Sequence, residues 1–146
     1  MKYYGKYRAF VHSVDDPQKR GRIRVVCPRV LGDAVSNWCE PCVPVAFDNG
    51  GDFALPKVGE TIWVEFEEGD VDKPIYTGGW WSSFKTPSEN YSDTEARYIV
   101  WGNNKITLHN DYIQVQLGTS LIYIEDGTIT LSSDKVIINQ QGGVNK

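Results

Sequence analysis

An all-β architecture is predicted for this 146-residue chain, and three observations carry the prediction. Short runs alternate apolar and polar residues at the strand period of two, clusters of Gly, Pro, Asn and Asp punctuate them, and no segment before Ser82 shows a helical apolar repeat. The pattern also changes along the chain. Residues 1–81 read as a five-stranded barrel, 82–97 as a linker, and 98–146 as a ladder of shorter, more regular strands.

Tyr4–Val14 is the first expected strand, and Asp15-Asp16-Pro17 with Gly21 turns the chain, the proline presetting φ and the aspartates bonding nearby backbone amides. Arg22-Ile23-Arg24-Val25-Val26 follows with charged and apolar residues in alternation, so its arginines are expected on a solvated face. A third strand over Trp38–Val45 carries Pro41 and Pro44, which remove ladder donors and place it at an edge or a bulge. Thr61–Phe66 and Pro74–Thr77 supply the fourth and fifth. Pro56 and Gly59 turn the chain into the fourth, Asp70 and Asp72 cap the tight turn between the two, and Pro74 opens the fifth where no ladder donor is lost. Five strands in about eighty residues, with long connections after the second and third, fit a small closed barrel of the OB type better than a sandwich of seven or more. Gly78-Gly79 lets the backbone leave the barrel, and Trp80 and Trp81 are expected to anchor that exit or to meet another subunit by packing rather than by stacking on a ligand.

Ser82–Arg97 is dominated by Ser, Thr, Glu and Asp, which is linker chemistry, with Phe84 and Tyr91 holding it to a surface. Beyond Tyr98 the apolar residues come in sets spaced by two: Ile106 and Leu108; Ile113, Val115 and Leu117; Ile122 and Ile124; Ile129 and Leu131; Val136 and Ile138. Between them stand the turn formers His109-Asn110-Asp111, Gly118-Thr119, Glu125-Asp126-Gly127 and Ser132-Ser133-Asp134. The last three sets repeat every seven residues, but the spacing within each is that of a strand and not of a coiled coil. A single stack of such rungs has nothing to cover its apolar face, while ordering each residue costs roughly 1–2 kcal/mol of backbone entropy. Another surface must close it. Three identical ladders about a common axis would turn these eleven residues inward as the core of a homotrimeric β-rod, a trimeric β-helix or a β-prism.

Composition narrows the function. A formal charge of −4 provides no global positive field for phosphate backbones or anionic lipid, so nucleic acid is not the expected partner. No apolar run approaches the ~20 residues of a spanning helix, and Met1-Lys2-Tyr3-Tyr4 does not open a signal peptide, so synthesis in a cytosol without Sec export is expected. Cys39-Glu40-Pro41-Cys42 offers half of a zinc site or a redox pair, yet only Cys27, His12 and His109 remain to complete it, and small buried side chains are the simpler reading. No catalytic, cofactor-binding or metal-binding residue is expected.

Over about Tyr4 to Trp80 the sequence resembles the OB-fold domain of phage baseplate central-spike proteins, the family of the T4-type and P2-type spikes and of the VgrG proteins of type VI secretion. The likeness rests on Gly21-Arg22-Ile23-Arg24-Val25 after the proline turn, on Trp38, on Phe53-Ala54-Leu55-Pro56-Lys57-Val58-Gly59-Glu60, and on Val64-Glu65-Phe66 with Gly69-Asp70-Val71-Asp72-Lys73-Pro74-Ile75. The resemblance implies a non-enzymatic spike of a contractile tail: three chains at the end of a tail tube, OB domains on a hub protein, a β-rod pointing at the target envelope and meeting it transiently, all within a virion or a phage-tail-like particle. Three departures are informative. No lysozyme-like insert follows the barrel; no His-x-His stands near Gln140–Lys146 to hold iron at a tip; and the large N-terminal hub portion of VgrG proteins is lacking, so a separate hub protein and a separate tip-capping protein are implied.

Two rival readings carry weight. An OB barrel can bind single-stranded nucleic acid or carbohydrate, with Arg20, Arg22, Arg24 and Arg29 as a local basic strip. A glycan hydrolase would draw on Glu65, Glu67, Glu68 and Asp70, but these crowd on one hairpin, and His12 and His109 fall in different segments with no Ser-His-Asp set.

Overall fold

The computed structural model describes residues 1–87 and 93–138. Expectations for Tyr91 and for the Gln140–Lys146 tail lie outside these residues. The chain divides into two units, Met1–Thr86 and Pro87–Lys146.

The first unit is built on β1 (Tyr7–Ser13), β2 (Arg24–Val26), a single helical turn α1 (Pro28–Leu31), β3 (Glu40–Pro41), β4 (Ala46–Phe47), β5 (Gly50–Gly51), β6 (Thr61–Phe66) and β7 (Pro74–Gly79). Five of these strands form one curled sheet in the order β2-β1-β6-β7-β3, in which only β3 and β7 run parallel. An Ile23–Cys39 bridge joins the two ends and closes the ring, as expected of an OB-type barrel. Alternation does the sorting: in β6, Ile62, Val64 and Phe66 turn inward while Thr61, Trp63 and Glu65 face out. Ala9, Val11, Ile23, Val25, Cys27, Cys39, Ile62, Val64, Phe66 and Tyr76 form the core, none more than 7% exposed. The buried Tyr76 hydroxyl donates to the Gly21 carbonyl at 2.6 Å, pinning the fifth barrel strand to the turn before the second.

Several boundaries differ from expectation. The third strand shrinks to Glu40–Pro41 because Pro41 and Pro44 deprive it of donors, and the chain then leaves the barrel as the β4–β5 hairpin. The α1 turn is too short to show a period. Gly78 lies in β7 at φ +127, beside an irregularity in the β6–β7 register, so the strand runs on to Gly79 before the chain departs.

The second unit is an antiparallel meander of β8 (Arg97–Trp101), β9 (Asn104–Leu108), β10 (Tyr112–Leu117), β11 (Ser120–Glu125) and β12 (Thr128–Ser132), hydrogen-bonded in sequence order. Turns at Gly118 (φ +55) and Gly127 (φ +74) use the left-handed backbone that glycine adopts without a steric penalty. Strand β8 begins at the end of the expected linker and is an unanticipated rung, since Tyr98-Ile99-Val100-Trp101 is apolar on both faces and shows no alternation. Val136 and Ile138, expected as a further rung, carry no strand; no strand beyond β12 is described to pair with them.

Candidate functional site

The feature that asks for a function is the sheet of the second unit. Register places Ile99, Ile106, Val115, Ile122 and Leu131 in one row across the five strands, and Leu108, Ile113, Ile124 and Ile129 in the next. Trp101 and Leu117 extend the same face on either side of Asn104. All eleven apolar side chains remain 39–69% exposed. Five strands about 4.8 Å apart and five residues at about 3.4 Å each make a face roughly 24 by 17 Å, or about 400 Å² in projection, as large as the largest apolar patch of an ordinary monomer.

The opposite face is polar and better covered. Tyr98, Thr107, Gln114, Tyr123 and Thr130 form its central row, with Thr107 only 2% exposed. The Gln114 amide donates to Gln116 at 3.1 Å, Lys105 sits 4.1 Å over the Tyr98 ring, and Tyr112 stacks between His109 and Tyr123 at 4.8 and 5.1 Å. This is the reverse of a folded domain, in which the apolar face is the covered one. Nine of the eleven residues expected to line a rod core thus share one face: Ile106, Leu108, Ile113, Val115, Leu117, Ile122, Ile124, Ile129 and Leu131. Ile99 and Trp101 belong with them and were missed with their strand.

On the barrel, several of the residues named for other chemistries are engaged within the fold. Arg22 is not solvated: its guanidinium donates to Asp16 at 2.6 Å, and both side chains are nearly buried. The Arg22 guanidinium holds the Asp16 carboxyl far below the usual carboxylate range, and the same carboxylate accepts the backbone N–H groups of Gln18, Arg20 and Arg22. Arg24 donates to the Ser36 carbonyl and lies against Trp38, and Arg20 pairs with Glu40 at 3.0 Å. The basic strip is therefore largely spent inside the molecule. Glu65 pairs with Lys6 at 2.8 Å, and the Asp70 carboxylate accepts the Asp72 N–H as a turn cap. Cys27 and Cys39 are core side chains while Cys42 is exposed, and burial pushes the Cys39 thiol up to about 11, away from the thiolate that metal or redox chemistry uses. Trp80 packs against Trp63 and Phe10 at 6.0 and 6.5 Å between ring centres, with Arg8 4.5 Å over its ring, whereas Trp81 stands exposed.

A closed five-stranded barrel is thus followed along the chain by an uncovered sheet. The model of the family described as Type VI secretion system/phage-baseplate injector OB domain matches residues 7–81. The chain belongs to that injector OB-domain family. Comparison with curated proteins gave no match. As an injector OB-domain protein, it is a spike-related component of a phage baseplate, tail-like particle or type VI secretion system, associated with baseplate components. The matched segment ends at Trp81, so the uncovered sheet lies wholly outside it.

Proposed function

We propose that the protein is a non-enzymatic central spike of a contractile tail: three copies attach through their OB barrels to a separate hub protein, and their second units join as a rod that meets and helps pierce the target envelope. The single observation that supports this reading is the uncovered apolar face. Its geometry favours three copies. Strands of about five residues are about 17 Å long, and an equilateral prism of that side has its walls about 5 Å from its axis, half the roughly 10 Å at which sheets pack face to face. Four copies would leave their walls about 8.5 Å out and a channel inside. Because every strand among the described residues already pairs within its own chain, a prism of three separate meanders is favoured over interlaced strands.

In such a rod, axial force is shared among ladder hydrogen bonds and buried rows that must fail together, so the protein needs no substrate turnover. A distinct tip protein would cap the end. Imaging of purified particles with antibody against this chain tests the placement: label at the baseplate axis is expected, and label along the sheath or none at all would contradict it.

A further inference from the structure

The barrel carries two apolar features that its own fold does not use. The first is an arm, the β4–β5 hairpin with the residues flanking it, which stands off the barrel over a hollow of about 560 Å³ lined by Gly21, Pro41, Leu55 and Tyr76 on the barrel side. Val45, Phe47 and Phe53 on this arm are 52%, 67% and 76% exposed. Phe47 is fixed across the hairpin: it pairs with Gly50, and a Cβ at Gly50 would fall 2.1 Å from its ring. The arm is thus a preformed aromatic anchor, flanked by Asp48 and Asp52, whose carboxylates have no salt-bridge partner among the described residues.

The second feature is a groove of about 780 Å³ on the outer face of β1 and β6 beside α1. Phe10, Trp63 and Trp80 line it, and its positive charge comes from Lys6, Arg8 and Arg29. Only Lys6 among these three has a salt-bridge partner among the described residues. The Arg8 guanidinium lies 4.5 Å over the Trp80 ring and 5.7 Å over the Trp63 ring, so aromatic surface and positive charge share the groove. Acidic arm and basic groove are therefore complementary in charge as well as in apolar character. They sit at different places around the barrel, because the arm continues from β3, while the groove lies on β1 and β6 with β7 between.

We infer that the β4–β5 arm of one copy docks in the β1–β6 groove of the next, Phe47 against the tryptophans and Asp48 and Asp52 toward Arg8 and Arg29. A contact between different patches of identical chains is head-to-tail, and closing it after three steps makes a ring. This rests on the three-copy reading above and adds a second, independent seam at the collar.

Cross-linking of the full chain tests it. In a Cys42→Ser background, Asn49→Cys on the arm and Pro28→Cys at the groove rim are expected to give oxidised dimers and trimers. Asp48→Arg should lower that yield about tenfold, with restoration when Arg29→Asp is added. A species of trimeric mass with no cross-link overturns the docking while leaving the rod intact, and leaves the arm as a surface for the hub. Cross-linking unaffected by the charge reversal overturns the assigned partners. A monomeric mass removes both this contact and the three-copy reading.

Discussion

The two units solve the same problem in opposite ways. Both are built from strands of alternating character, yet the barrel sends its apolar residues into a core no more than 7% exposed, while the meander leaves its apolar face 39–69% open. The difference is closure. A sheet that curls until Ile23 meets Cys39 covers its own inner face, whereas five short strands in a simple meander have one side left over. Self-sufficiency therefore ends with the barrel, and the second unit keeps an apolar face that its own strands leave open, the face that the proposed assembly would cover.

Substitutions that act on one unit and spare the other sharpen this contrast. The largest effect is expected from Val115→Asp, in the middle row of the open face, because assembly would bring unpaired carboxylates together in an apolar interior. The solution mass should fall to that of a single chain while the barrel stays folded. Next comes Ile23→Ala in the barrel core, where deleting buried methyl groups costs about 3 kcal/mol. Denaturant unfolding should show an early barrel transition with the assembled mass unchanged.

A smaller loss is expected from Asp16→Asn, which removes the charge that Arg22 and the turn amides hold. The barrel melting temperature should drop by several degrees. The sign with pH follows from the depressed Asp16 pKa: its contribution is full above the unfolded value of about 3.9 and is lost as pH falls from there through the folded value. Melting curves of the wild type should thus converge on those of Asp16→Asn only in acid, and a constant gap at all pH values would contradict the pairing. The least effect belongs to Thr130→Val on the polar face, within about 0.5 kcal/mol and with no change of mass. An equal loss of assembly from Thr130→Val and from Val115→Asp would erase the distinction between the faces.

How much of this was legible depends on how locally each feature is encoded. Apolar spacing of two around Ile113, Val115 and Leu117 reported strand and face at once, because alternation is a property of adjacent residues, whereas the register between strands comes only from the fold. The barrel strand count was legible for the same reason. Arg22 was misread as solvated because its alternation with Ile23 looks like a wet strand face, and only the fold brings Asp16 beneath it. The short third strand and the arm after Pro44 depended on how few partners two prolines leave available. Strand β8 escaped because Tyr98 to Trp101 are apolar on both faces, so a neighbour, not a pattern, decides which side is which. The groove of Trp63, Trp80 and Arg8 gathers residues from three segments and has no signature along the chain.

In the proposed assembly the open face of the second unit is a buried one. Light scattering on the purified full chain at micromolar concentration tests this most directly. A mass three times the 16.5 kDa of one chain is predicted. A folded, soluble single chain with its meander intact would contradict it.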